Sequence, residues 1–426
     1  MKTRWLLISH AFNMDGRASS VTVTDKVPYL QKAGIQLTVL SAVTGMKDER
    51  VEHYQLLAWG PSALRFDFRH WVANHYGRGL FYKLVTPLVS IGLLPFIFLE
   101  KLLVGLSSQA SWFLPAALRG TLLVKQGKVD LIYTSAGVWS ALLAGWVIKK
   151  LTGVTWIVEI HDPLVTRWSP EDDGVAKRKT REARFMQKLE RMVCDNADHL
   201  WWFTDGALSY AKHRQPGLAD KGFVVLPGAE PPGCYEPDDG QHVYSDHLNI
   251  AHFGTLATDR SLVPVLDALA ALFQEIPAAK EKVRIQVYGT DLDSASSEAV
   301  TRLHLESNVI SNGRFPRAQV VKLMRQADML LALHGTAEWA VECIPSKIYE
   351  YFWSKRPILG ITDRNDQLRR LLEERDAYVC QTNDQASINQ MVKKVWDDWS
   401  HQNLKQQKYQ PISPADAVQQ ILNKLQ

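Results

Sequence analysis

From residue 5 to residue 227 the chain sets short apolar runs between longer stretches of helical period. The runs at 5–9 (WLLIS), 36–41 (QLTVLS), 130–135 (DLIYTS), 155–160 (TWIVEI), 199–204 (HLWWFT) and 223–227 (FVVLP) are rich in β-branched and aromatic residues and end in turn residues, so each predicts a strand. Helical patterns at 138–152 and 175–197 lie between them. Continuously apolar strands that alternate with helices imply a parallel sheet covered on both faces. Residues 228–240 (GAEPPGCYEPDDG) have no periodicity and read as a linker. The alternation resumes at 249–254 (NIAHFG), 283–289 (VRIQVYG), 309–313 (VISNG), 329–334 (MLLALH), 356–360 (RPILG) and 378–380 (YVC). The pattern therefore predicts two doubly wound, Rossmann-like α/β domains in tandem: an N-terminal one over 1–230 and a C-terminal one over 245–410. A last helical pattern at 415–426 follows a Pro-containing break, and the segment 411–426 is expected to pack back on the N-terminal domain.

Residues 60–119 depart from this rhythm. Residues 84–99 carry no charge, Glu100 and Lys101 follow, and residues 102–118 are again uncharged, with Pro87, Pro95 and Pro115 as interruptions. Each half falls short of the roughly 20 residues that span a bilayer. Arg65, Arg69, Arg78, Lys83 and Arg119 flank the block, and Trp71 and Trp112 stand near it. Two readings are open: a segment lying in a membrane interface or entering one leaflet, or a helical insertion buried against its own domain; a true transmembrane pair is not expected.

Composition narrows the classes. The chain has 426 residues, 46% hydrophobic and 22% charged, enough to build two cores and too apolar for disorder. A net charge of +4 without a basic cluster does not call for nucleic acid. The four cysteines (Cys194, Cys234, Cys343, Cys380) form no CxxC pair, which argues for a reducing compartment and against a zinc site. The apolar start is too short for a signal peptide, so a cytoplasmic protein is expected.

Ligands of doubly wound sheets bind beyond the C-terminal ends of the strands, and two such sheets are expected to face each other across a cleft. After the first strand come Asn13, Asp15 and Gly16, a loop for an acceptor or phosphate, with Ser19 or Ser20 as a helix cap. After the strand at 155–160, His161 and Asp162 could position hydroxyls or exchange protons; equally, Asp162 before Pro163 could only cap a turn. In the second domain Gly254 ends a strand and Arg260 precedes a helix, where a guanidinium can neutralise a diphosphate. Arg314 and Phe315 could line a flat base. The stretch ECIPSKIYEY (342–351) places Pro345 and Ser346 as a helix start between Glu342 and Glu350. The helix N-terminus and Lys347 suit phosphates, Glu350 suits a ribose, and Glu342 reaches another part of the same ligand. The alternative is a solvated Glu342 and an ordinary Lys347/Glu350 surface pair.

The motifs HFGTLATDR, NGRFPRAQVVKLMRQADMLLAL and ECIPSKIYEYFWSKRPILG together resemble the GT-B-fold retaining glycosyltransferases of family 4, over roughly residues 1–400. The resemblance implies that Glu342 touches hydroxyls of a donor sugar and Glu350 binds the nucleotide ribose. It implies that Arg260, Lys347 and the helix start at Ser346 stabilise the departing diphosphate, with Gly254 beside them. Arg314 and Phe315 would lie near the base, His161 near the donor sugar, and Gly16 and Asp162 on the acceptor side. No metal or other cofactor is expected beyond the nucleotide diphosphate-sugar. The sequence departs from the family where a glycine-rich stretch is replaced by Cys343, Ile344, Pro345 and Ser346.

The expected activity is thus retaining, metal-independent transfer of a sugar to an acceptor hydroxyl. The acceptor would be a lipid-linked or cell-surface glycan, handled at the inner face of the cytoplasmic membrane. A nucleotide-sugar-binding protein without transfer activity, in a membrane-associated assembly, is the alternative from another class. A nucleotide-sugar epimerase is a third.

Overall fold

The computed structural model describes residues 3–14, 17–105, 109–165, 181–218, 220–230 and 244–425. Asp15, Gly16, most of the 228–240 linker and the first residues of the helix expected at 175–197 lie outside them. The chain forms two compact units, Met1–Pro227 with Pro414–Gln426, and Gly228–Ser413.

The first unit holds strands β1 (Arg4–Ile8), β2 (Gln36–Ala42), β3 (Glu52–Leu56), β4 (Leu131–Ser135), β5 (Thr155–Ile160), β6 (His199–Trp202) and β7 (Gly222–Val224). They form one parallel sheet in the order β3-β2-β1-β4-β5-β6-β7. Helices α1 (Ala18–Thr24), α2 (Val27–Lys32), α3 (Pro61–Tyr76), α4 (Leu80–Leu103), α5 (Phe113–Lys125), α6 (Ser140–Thr152), α7 (Arg181–Asn196) and α8 (Asp205–Arg214) surround it. The pleat divides β1, β2, β4, β5 and β6 between two cores. Leu6, Ile8, Ile132, Trp156 and Val158 pack with Ala144, Ile148 and Leu189 on one face. Trp5, Leu7, Tyr133, Ile157 and Trp201 pack with Val23 and Val27 on the other. The C-terminal helix, Pro414–Lys424, joins this second core through Ala417, Val418, Ile421 and Leu422, a stripe at helical spacing.

β3 was not expected from the sequence. Its residues EHYQL lack the apolar run of the other strands because it is an edge strand. Its one buried side chain, His53, makes a 2.8 Å hydrogen bond with Ser41 of β2.

The insertion also differs from expectation. α4 is one continuous helix of 24 residues that runs through Pro87, Pro95 and the Glu100–Lys101 pair. Its length, about 36 Å at 1.5 Å per residue, and its composition suffice to cross a membrane. Glu100 does not interrupt the helix because it fastens its base: its Oε2 accepts the Ser62 N–H at 2.8 Å, at the open start of α3. Nor is α4 buried against its own domain. Only Thr86 and Ile97 are covered, while Leu88 (68%), Phe98 (71%) and Leu102 (67%) stand in the open.

The second unit repeats the plan. Strands β8 (Leu248–Phe253), β9 (Val283–Tyr288), β10 (Val309–Ser311), β11 (Met329–Leu333), β12 (Ile358–Thr362) and β13 (Tyr378–Gln381) form a parallel sheet ordered β10-β9-β8-β11-β12-β13. Helices α9 (Val263–Glu275), α10 (Ala278–Lys282), α11 (Ser294–Arg302), α12 (Arg317–Gln326), α13 (Lys347–Ser354), α14 (Asp366–Glu373) and α15 (Gln385–Ser400) cover it. Every residue of β11 and β12 is buried.

The first unit's larger core depends on Trp156. It is fully buried, and its indole N–H donates to Thr134 Oγ1 at 2.9 Å. Gly145 of α6 admits it: a Cβ there would stand 2.6 Å from the indole nitrogen. Trp156→Ala should cost about 3–5 kcal/mol in denaturant unfolding of this unit, whereas Leu151→Ala, 61% exposed, should stay within about 0.5 kcal/mol.

Candidate functional site

Parallel sheets gather strand C-termini and helix N-termini at one edge. In the second unit β8 is followed by Gly254 (φ +125°) and β9 by Gly289 (φ +112°). Their backbones lie together: a Cβ on Gly289 would stand 3.2 Å from Gly254 Cα. The space left above Gly254 holds the Lys347 ammonium, whose Nζ lies 1.8 Å from where a Gly254 Cβ would sit. Any larger residue at 254 would expel that side chain.

Lys347 opens α13, and one turn later Tyr351 bolts the helix to the sheet. Its hydroxyl accepts the Phe253 N–H at 3.2 Å and donates to the Leu331 carbonyl at 3.3 Å. Burial, helped by the Arg260 charge and opposed by Glu350, pulls Lys347 down to about 7. Arg260 leaves a tight turn in which Ala257 and Arg260 exchange backbone hydrogen bonds. Its guanidinium donates to Thr255 Oγ1 at 3.3 Å, and its Nε is buried without an acceptor. Among the described residues no carboxylate forms a salt bridge with either cation.

Glu350 is held by Arg317, whose Nε donates to it at 3.1 Å and whose other nitrogen donates to the Glu230 carbonyl at 2.6 Å. The Lys347/Glu350 surface pair considered from spacing does not form; Glu350 takes its ion pair from α12. Glu342 is buried and closes the 3-10 turn Glu338–Glu342. The next residue is pinned: the Cys343 carbonyl accepts from His334 Nε2 at 3.0 Å and Asn365 Nδ2 at 2.9 Å. Ser346 stands at the N-cap position, but its hydroxyl makes no capping bond, so that expectation fails: its backbone is helical rather than extended. Arg314 donates to the Gly289 carbonyl at 3.0 Å. Phe315 meets Tyr288 edge-on, and Tyr288 stacks on Phe253 with ring centres 4.7 Å apart.

In the first unit His161 follows β5 and is nearly buried. Its Nε2 lies 2.7 Å from Glu159 Oε1 and 2.8 Å from Ser135 Oγ. Its partner is therefore Glu159 rather than the adjacent Asp162, which is exposed. Neither Ser19 nor Ser20 caps α1: Arg17 holds that position, and Ser20 Oγ instead accepts the Met14 N–H at 2.6 Å. Beside this loop, His10 Nε2 faces Asp67 Oδ1 of α3 at 3.7 Å. Burial raises Asp67 to about 7 and lowers His10 to about 3. Gly16 lies outside the described residues. No cluster of three metal-ligating side chains occurs among the described residues.

Residues 19–228 match the family described as Glycosyl transferase 4-like domain. Solved structures share the whole two-unit architecture. Sucrose-phosphate synthase from Thermosynechococcus elongatus is 14% identical over 99% of this chain and 94% of its own, with a TM-score of 0.59. Anabaena HepE in complex with UDP-glucose is 15% identical over 99% and 94%, with a TM-score of 0.55. WaaG, a glycosyltransferase involved in lipopolysaccharide biosynthesis, is 14% identical over 98% and 95%, with a TM-score of 0.54. This chain has the two-domain GT-B fold of these structures. None of the curated proteins compared matches it in sequence.

Within the second unit, the structure brings Gly254 and Lys347 into contact and sets Arg260 close enough to act on the Lys347 charge. Sequence reasoning passed over Arg317 and Glu159. Arg317 opens α12, a helix start on the same edge, which was a usable signal. Glu159 lies two residues before His161, the spacing that puts two side chains on one face of a strand.

A nucleoside diphosphate bound against Lys347 would favour the ammonium form and restore its proton. At about pH 8, above the lowered value near 7, binding should take up close to one proton. Titration calorimetry in buffers of different ionisation enthalpy measures this, and Lys347→Met should abolish the uptake.

Proposed function

We propose that this chain is a glycosyltransferase that moves a sugar from a nucleotide diphosphate-sugar to an acceptor hydroxyl, with retention of configuration and without a bound metal. The observation that carries this reading is the pair Lys347 and Arg260, two cations with no carboxylate partner among the described residues, gathered at the start of α13 beside Gly254. Such a site is short of negative charge and suits a diphosphate. Anabaena HepE was solved with UDP-glucose, which makes uridine diphosphate sugars the first donors to test.

In the reaction the bond from the anomeric carbon to the phosphate oxygen breaks, and the acceptor oxygen bonds to the same face. The acceptor proton passes to the departing phosphate, so no protein nucleophile is needed. Lys347, Arg260 and the α13 N-terminus, with Ser346, stabilise the charge that develops on the leaving group. Glu350, oriented by Arg317, accepts the ribose hydroxyls, and Glu342 those of the sugar. Arg314 and Phe315 flank the base. His161 serves the sugar; Gly16 and Asp162 belong to the acceptor side.

The acceptor in this reading is a lipid-linked glycan at the inner face of the cytoplasmic membrane. Support comes from α4, whose residues Leu84, Leu88, Ile91, Leu94, Phe98 and Leu102 form an unburied apolar surface. Arg65, Arg69, Arg78 and Lys83 lie around its first turn and on α3, a charge pattern that fits anionic headgroups.

Arg260→Ala should lower turnover on the order of a hundredfold, and Glu350→Ala should weaken nucleotide binding about tenfold or more, the loss of hydrogen bonds to a charged group. Steady-state transfer and calorimetry with uridine diphosphate sugars decide this; tight binding without turnover would favour a binding protein instead. In flotation, the full chain should rise with phosphatidylglycerol vesicles and less with phosphatidylcholine. A Leu88→Glu, Phe98→Glu variant that still floats would remove α4 from the reading.

A further inference from the structure

Behind His161 lies a buried ionic cluster that the reaction outlined above does not use. Glu159 is fully buried on β5. Three donors converge on its Oε2: Lys26 Nζ at 2.7 Å, Tyr133 OH at 2.6 Å and Trp201 Nε1 at 3.2 Å. Its Oε1 is left to His161 Nε2 at 2.7 Å. Lys26 is fully buried as well and also donates to the Thr22 carbonyl at 3.0 Å. Burial works against the Glu159 charge, but the Lys26 charge, with hydrogen bonds from His161 and Lys26, outweighs it and holds the carboxyl down at about 2. Burial keeps the Tyr133 phenol protonated, as a donor must be.

These contacts dictate where hydrogens go. His161 Nε2 faces a carboxylate oxygen and a serine hydroxyl, so it carries a hydrogen. A bare buried carboxylate would draw a second proton onto the ring. Lys26 cancels that charge, so the cluster of ammonium, carboxylate and neutral imidazole sums to zero, the cheapest arrangement in a low-dielectric interior. Nδ1 is then left with its lone pair. It lies on the Gly137 side of the ring, 3.7 Å from the place a Cβ on Gly137 would occupy.

We propose that Lys26 and Glu159 are positioning residues that fix His161 in the tautomer protonated on Nε2, so that Nδ1 presents a hydrogen-bond acceptor to a hydroxyl of the bound sugar. The sugar part rests on the function proposed above; the tautomer does not. Glu159→Gln makes the inference sharp. The three donors at Oε2 require an oxygen, so the glutamine carbonyl takes that place and its NH2 turns to His161. Nε2 must then accept, and the proton moves to Nδ1.

Long-range proton–nitrogen NMR on histidine-labelled full-length protein near neutral pH reads this directly, with His161→Asn to assign the signal. The wild type should show Nε2 protonated and Nδ1 bare, and Glu159→Gln should reverse them. Wild-type His161 protonated on Nδ1, alone or on both nitrogens, overturns the inference without any variant having to fold. So does a folded Glu159→Gln protein with the tautomer unchanged. Adding a uridine diphosphate sugar that supports transfer should shift Nδ1 where UDP alone does not; a donor that turns over without moving Nδ1 overturns the sugar contact. If no donor binds while the tautomer reverses, the glycosyl-transfer reading fails and the positioning pair stands.

Discussion

A lysine removed from water without a salt-bridge partner among the described residues is the constraint around which the second unit is arranged. Taking an ammonium out of water is costly, and the protein offsets that cost only in part at Lys347, through Glu350, so the side chain gives up affinity for its proton. Holding the side chain there needs the absence of two Cβ atoms, at Gly254 and Gly289, and a helix that cannot tilt away. Tyr351 supplies the second requirement by spanning the Phe253 N–H and the Leu331 carbonyl. Two strands and a helix are therefore committed to holding one buried lysine that has no salt-bridge partner among the described residues.

The first unit treats a buried lysine in the opposite way. Lys26 is given Glu159, and the surplus hydrogen-bonding capacity of that carboxylate is spent on Tyr133, Trp201 and His161. The result is a rigid imidazole instead of an open charge. Ser135 and the ring of Phe203, centred 5.0 Å from that of His161, hold it from the remaining sides.

The sheets were legible from the chain because parallel strands are covered on both faces and read as unbroken apolar runs. β3 escaped because an edge strand obeys no such rule. Glu100 misled in a specific way: a charge within an apolar stretch reads as an interruption, yet its carboxylate serves another helix's open N–H groups. At the candidate sites, residue types and positions after strands could be read, but partners could not. The spacing of Lys347 and Glu350 suggested a pair that does not form, since Arg317, 33 positions away, takes the carboxylate. Lys26 and Glu159 are 133 residues apart, and only the folded sheet brings them together. The Glu159–His161 spacing was there to be read and was missed because His161 and Asp162 were considered as neighbours in sequence rather than along a pleat.

The chain leaves its first unit at Pro227 and returns to it at Pro414. The two passages run side by side, with the Ala229 N–H donating to the Ile412 carbonyl at 3.1 Å. One unit is thus spliced into the other, with consequences for synthesis from the ribosome. Ala417, Val418, Ile421 and Leu422, which complete the core against Trp5 and Leu7, emerge only after the entire second unit has been made. The unit begun first is the last to be closed.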